Sequence, residues 1–328
     1  MNKYKLSLIS AALLCAPLAY TTAQAVNINV SRNVSSLNKT LSGQSVTFWT
    51  FSGALPAAAV EVGVYPEGTT TTDTLNLTLN LGMMTPGENA PYNGHTIHLH
   101  GADVPTSEDG VPETYNDVNG DTYTWTPTRD MAGSYMYHCH VHTVKHLEMG
   151  MYGPLIVRPK NAAGAWLNQL THNTATAYDY VQNYVLSTVD PAYHTATGDS
   201  TVFADYNPAY FLITGNEGKT TAAPAMSLTA AKSKKVALRL IGIHSVSSTF
   251  AVKDGSGVAK SFTVYTQDGR ALSTPQTLTS LDISPGQRFD IIFTTPSTAG
   301  TWYPQVTYKN LRNGAAYTSG TVYGKVTF

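Results

Sequence analysis

Leu75-Asn76-Leu77-Thr78-Leu79-Asn80-Leu81 decides the fold class. Leucines alternate with short polar residues at period two, which puts an apolar row on one face of an extended strand and a polar row on the other. The same pattern continues outward. In the first half, Val46 to Phe51, Ala58 to Tyr65 and Pro154 to Val157 read as strands. In the second half so do Tyr180 to Leu186, Lys235 to Ile241, Phe262 to Tyr265, Leu278 to Ile283, Phe289 to Phe293 and Trp302 to Tyr308. Turns rich in Gly, Pro and Asn separate these runs, and the only helical pattern is a short turn around Val144 to Met149. An all-β chain of two tandem sandwiches is expected, with the boundary in Arg158-Pro159-Lys160-Asn161-Ala162-Ala163-Gly164. The first domain would span residues 26–160 and the second 161–328.

Charged side chains make up 12% of the 328 residues, about half the roughly 25% of ordinary soluble domains. With 20 Lys and Arg against 21 Asp and Glu, the chain lacks the clustered cations that a nucleic-acid partner requires. Residues 1–25 have the form of a secretory signal peptide: Lys3 and Lys5, an apolar stretch from Leu6 to about Tyr20, then Ala23-Gln24-Ala25. No later stretch offers the ~18 apolar residues of a membrane span. The expected destination is therefore the periplasm or the exterior. Cleavage after Ala25 would remove Cys15 and leave Cys139 as the single cysteine of an exported protein, in a compartment where cysteines normally pair.

Histidine placement carries the chemistry. Seven of the ten histidines (His95, His98, His100, His138, His140, His142 and His146) fall within 52 residues, with Cys139 among them. If His95-Thr96-Ile97-His98-Leu99-His100 is a strand, His98 and His100 share one face and His95 takes the other. In Tyr135-Met136-Tyr137-His138-Cys139-His140, His138 and His140 share a face and Cys139 points away from them with Tyr135 and Tyr137. Two metal sites back to back are implied. Cys139, His95, His146 and Met151 supply a thiolate, two imidazoles and a thioether, the ligand set of a blue, type 1 copper site. A buried free cysteine with surface histidines, or a zinc site, are the competing readings, although the spacings match no zinc-finger pattern. His142, three residues after Cys139, competes with His146 as the loop ligand, but the residue five beyond it is Leu147 and not methionine.

These motifs resemble those of the multicopper oxidases, the laccase-like proteins. The resemblance lies in His95 to Gly101, Ser107-Glu-Asp-Gly-Val-Pro112, His138-Cys-His, and His146-Leu-Glu-Met-Gly-Met-Tyr-Gly-Pro154. It extends through Phe211 to Gly215, Val236 to Ile241, Gln267-Asp-Gly269 and Ile283 to Asp290. It implies two cupredoxin-like Greek-key domains, of which the second lacks copper ligands. It also implies type 1 copper on His95, Cys139, His146 and Met151, and a second copper centre faced by His98, His100, His138 and His140. The electron donor would be a small molecule or a protein, and the acceptor dioxygen.

Six residues separate Cys139 from His146, where three-domain laccases have four. The copper motifs stand in the first domain and not the last. A trinuclear cluster needs eight histidines from two domains, yet the second half has only His172, His194 and His244, with no H-x-H pair. Three arrangements follow: a cluster completed by a second copy in a homo-oligomer, a nitrite-reductase-like interface copper on His100 or His98 with His138, for which His244 of a neighbouring subunit is a further candidate, or an electron carrier or copper-handling protein without oxidase activity. Asp109 is the candidate acid–base group near the second centre, or a turn former before Gly110. Glu148 reads as a solvated loop residue, and His172 and His194 as exposed. Trp125 and the nearby tyrosines read as core.

Overall fold

A computed structural model describes residues 24–69, 71–80, 94–111, 121–195 and 206–328. The leader with Cys15 lies outside these residues apart from its last two positions, as do Leu81 and Pro112.

Among the described residues the first sandwich holds eight strands: β1 (Asn27–Leu41), β2 (Gln44–Phe51), β3 (Val60–Val64), β4 (Thr74–Asn80), β5 (His98–His100), β6 (Thr122–Trp125), β7 (Gly133–His138) and β8 (Tyr152–Pro159). One sheet runs β2-β1-β4-β6 and the other β3-β8-β7-β5. Leu75, Leu77 and Leu79 of β4 are all fully buried, as their alternation requires. They meet Phe51, Trp125, Tyr135, Tyr137 and Cys139 in a single core between the sheets. β1 escapes a period-two reading because it changes partner midway. Asn27 to Asn33 pair parallel with β4, Val34 to Leu41 pair antiparallel with β2, and the buried positions slip phase at the change. The short helix α1 (Thr143–Met149) lies between β7 and β8.

The second sandwich uses strands between Tyr180 and Thr327, in a six-stranded sheet and a second sheet built on Ser247–Asp254, Thr301–Lys309 and Ala316–Thr327. The expected strand Leu278 to Ile283 divides in two. Arg270–Leu278 belongs to the first of these sheets and Ser280–Ile283 pairs with Ser247–Asp254 in the other, so the chain crosses between sheets at Thr279. A strand that switches sheets keeps an apolar pattern across the break, which is why periodicity alone reads it as one.

The two sandwiches meet along one face of β7. Met136 packs with Val185, Ile241 and Ile243 of the second domain. Two residues earlier, Ser134 Oγ donates to Asp290 Oδ1 at 2.5 Å. Asp290 also accepts from Thr266 Oγ1 at 2.7 Å and lies 3.3 Å from Arg239 Nη1. Asp290 and Arg239 are buried, so each compensates the other's charge where no water can.

Candidate metal centres

Alternation along β7 creates two donor sets. Tyr135, Tyr137 and Cys139 face the first-domain core, while Ser134, Met136 and His138 face the second domain. The ladder continues one residue past the strand, with the Cys139 N–H donating to the Met151 carbonyl at 3.1 Å. That bond sets Met151, itself fully buried, beside the cysteine.

On the core side, Cys139 Sγ is 3.0 Å from His146 Nδ1 and 3.7 Å from His95 Nδ1. The three donor atoms lie within 4.8 Å of one another, and all three residues are buried. His146 comes from α1, whose end is set by Gly150. At φ +108 that residue turns the chain back, with its N–H on the His146 and Leu147 carbonyls. A side chain there would also strike the Leu55 methyl and the Trp49 carbonyl. The turn delivers Met151 directly after the helix. Trp49 packs edge-on against the His146 ring at 5.5 Å between centroids.

His142 takes the left-handed residue that starts α1, and its carbonyl accepts the His146 N–H at 3.0 Å. Its ring centroid is 6.1 Å from that of His146. The structure thus brings His146 and not His142 to the sulfur.

On the opposite side, one nitrogen each of His98, His100 and His138 fall within 4.8 Å of one another. His98 and His138 are directly paired in the β5–β7 ladder. His138 Nδ1–H donates to the Cys139 carbonyl at 2.9 Å, leaving Nε2 3.2 Å from His100 Nδ1. His98 Nδ1 is 2.7 Å from the Asp109 carbonyl and 3.3 Å from its carboxylate, which fixes the outward nitrogen as the donor. Asp109 thus touches the outer edge of a histidine and positions it. His140 is not in that nitrogen set, although its ring lies 5.0 Å from that of His98 and 5.8 Å from that of His138.

Electrostatics prepare both sets. Burial pushes the Cys139 thiol up, but the adjacent His146 and His95 outweigh it and bring its pKa down to about 5, so a thiolate is available at neutral pH. Burial, with Arg288 and the neighbouring imidazoles, brings His100 down to about 4. Burial also holds His138 well below the usual imidazole value, and His98 is lowered for the same reason against the opposing pull of Asp109. Neutral imidazoles with a thiolate are the forms that bind a metal. One soft sulfur with two imidazoles suits copper.

Three other positions differ from expectation. His244 lies inside the second sandwich, with Nδ1 2.6 Å from the Val246 carbonyl and Nε2 3.0 Å from Ser248 Oγ, so it cannot serve an interface copper. The His194 side chain is only 2% exposed, with Nδ1 2.7 Å from the Thr47 carbonyl. Glu148 is buried too, and receives hydrogen bonds from the Asp190 N–H and the Tyr206 hydroxyl. In each case a neighbouring element supplies the burial, which local composition does not report.

Sequence reasoning also missed Arg288, whose guanidinium lies against Gly101 just after His100, and whose Nη1 donates to the Gly286 carbonyl at 2.6 Å. The available signal was a pair of charges inside an apolar strand, Arg288-Phe289-Asp290, which calls for buried partners.

Two sandwiches of this form, one holding a thiolate–imidazole set at the end of a strand, define a cupredoxin-like copper protein. Multicopper oxidase sequence profiles match residues 33–162 and 174–324, and the chain belongs to the multicopper oxidases. It is thus a member of a family of copper oxidoreductases, with copper as cofactor. Its fold is similar to that of the blue copper oxidase from Nitrosomonas europaea, at TM-score 0.66 and 22% identity, over 92% of this chain and 85% of that one. It is also similar to the laccase from Botrytis aclada, at TM-score 0.65 and 22% identity, over 94% of this chain and 53% of that one. A multicopper oxidase from Campylobacter jejuni, described as a metallo-oxidase, aligns at TM-score 0.61 and 18% identity, over 93% of this chain and 60% of that one. The chain thus spans little more than half the length of the last two. No curated protein sequence matches it.

Proposed function

We propose that this chain is an exported oxidase that accepts single electrons at the Cys139 site and delivers them to the histidine set behind it, where dioxygen is reduced to water. The observation that carries the reading is the one peptide bond between His138 and Cys139, which joins a buried donor set on one side of the strand to a half-buried one on the other. Copper, when bound, would supply the one-electron chemistry. His95, Cys139 and His146, with Met151 beside them, would hold the type 1 ion. The residues themselves exclude water from the sulfur, keep it as thiolate, and fix the His98 and His138 tautomers through the Asp109 and Cys139 carbonyls. The leader sequence supports export. Among the described residues no helix is long and apolar enough to cross a membrane.

The second domain brings no histidine to the second set, so we propose that a second copy of the chain completes it in a homo-oligomer, four imidazoles from each. One observation favours a different second centre: His98, His100 and His138 already form a compact three-nitrogen set within one chain, which suits a single copper. Copper per chain, oligomer mass, visible absorption and oxygen uptake with a phenolic donor test these readings together. About two and a half coppers per chain in a dimer supports the shared cluster, about two the single-copper centre, and about one an electron carrier. A one-copper monomer that consumes no oxygen would overturn the oxidase reading.

A further inference from the structure

Among the described residues the second domain contributes no donor to either set, yet it grips the helix that carries His146. α1 has seven residues, and the residue before His146 and the one two beyond it both reach across to the same segment of the second domain. Lys145, 4% exposed, donates through Nζ to the Tyr193 carbonyl. Its ammonium also lies 5.5 Å from the centre of the Trp49 ring, the ring that packs against His146. Glu148, 6% exposed, accepts from the Asp190 N–H at 2.5 Å and from the Tyr206 hydroxyl at 2.8 Å, with His194 Nε2 3.6 Å away. Tyr206 is held in turn by Thr188, its hydroxyl 2.8 Å from Thr188 Oγ1.

A surface helix needs no such apparatus to dock. Buried charged groups are costly unless paired and hydrogen-bonded, and apolar residues of similar size would hold α1 more cheaply. What a hydrogen-bonded network adds is direction: it fixes the rotation of α1 and so the approach of the His146 ring to Cys139. From this geometry we infer that the second domain is a clamp on the copper loop, with Glu148, Lys145 and Tyr206 as positioning residues that hold His146 at the sulfur. The inference rests on the copper reading of the Cys139 site. It assigns the ligand-free domain a part in tuning that site.

Tyr206→Phe tests it from the second domain, far along the chain from any ligand, by deleting one donor to Glu148. Glu148→Ala deletes the acceptor, and Glu148→Gln keeps an oxygen for the Asp190 N–H. Each variant is loaded with copper, checked for a native circular dichroism spectrum, and followed by the visible cysteine-to-copper band, the midpoint potential and the rate of copper loss to a chelator. Loss of an outer partner of a ligand lowers metal affinity by about 10-fold or more. Tyr206→Phe and Glu148→Ala should therefore lose copper about 10-fold faster with a shifted band and potential, and Glu148→Gln should recover part of the wild-type behaviour. Folded variants with wild-type band, potential and loss rate would overturn the clamp alone. A copper-loaded wild type without the band would overturn the copper reading, and the clamp with it.

Discussion

His138 and Cys139 are bonded neighbours whose side chains leave β7 on opposite sides, the imidazole toward the second domain and the sulfur into the first-domain core. The arrangement depends on register. A one-residue slip of β7 would exchange the two faces and bury Met136 and His138 where Tyr137 and Cys139 now stand. Pairing with β5 on one side and β8 on the other prevents it, the latter over all six residues of the strand.

Removing either candidate loop ligand separates the two readings of the copper loop. His146→Ala should abolish the visible cysteine-to-copper band and remove about one copper per chain, as should Cys139→Ser. His142→Ala should keep both the band and the copper, because its ring stands apart from the sulfur. Absorption spectra and metal analysis of the three variants decide the matter. A His142→Ala protein without the band would assign the loop ligand to His142 instead.

Gly101→Ala addresses the other side. At φ +79 the residue after His100 is strained for any side chain, and a Cβ there would run into the Arg288 guanidinium. The expected result is displacement of Arg288, loss of copper from the histidine set, and an unchanged blue band from the Cys139 set. Metal analysis with visible and electron paramagnetic resonance spectra would show it. Parallel loss from both sites would mean that the two sets do not fold independently of each other.

Much of this was legible in the sequence, for physical reasons. β4 declares itself because its leucines keep a strict two-residue period, and once Tyr135 to His140 is taken as extended the opposite orientations of His138 and Cys139 follow from the same period. The preference for His146 over His142 came from the spacing to Met151, and the structure brings His146 to the sulfur. Long-range burial is what local pattern cannot report. Glu148 reads as a solvated loop residue and His194 sits in polar sequence, yet each is covered by the other's domain, and His244 ends an apolar strand yet points inward to Ser248. β1 was obscured because its two halves obey different partners.

The Asp290 network should carry a large share of the second domain's stability, with Ser134 linking it to the first domain. Asp290→Ala would leave Arg239 buried without its carboxylate and remove the acceptor of the Ser134 and Thr266 hydroxyls, at a cost of about 3–5 kcal/mol. Changing the pair together, as Arg239→Met with Asp290→Leu, should recover most of that loss because no uncompensated charge remains. Equilibrium denaturation of the copper-free proteins provides the comparison. A double variant no more stable than Asp290→Ala would mean that the hydroxyl bonds, and not the ion pair, dominate.

His244 gives the second domain a pH dependence that copper does not enter. The imidazole is buried and neutral: Nδ1–H donates to the Val246 carbonyl and Nε2 accepts from Ser248 Oγ. Burial lowers its pKa from 6.5 to about 4 despite those backbone contacts. Between these two values the unfolded chain binds a proton that the folded chain does not, so stability falls as the pH drops from 6.5 toward 4 and levels off below that for this group. The same balance makes its contribution constant above pH 6.5. At 1.36 kcal/mol per pKa unit the loss amounts to about 3 kcal/mol. His244→Gln keeps a donor and an acceptor but cannot titrate over this range, so its denaturation midpoint should vary less with pH even if it is less stable throughout. Wild-type and His244→Gln curves that run parallel from about pH 7 to about pH 4 would show that His244 takes up a proton in the folded protein as readily as in the unfolded one.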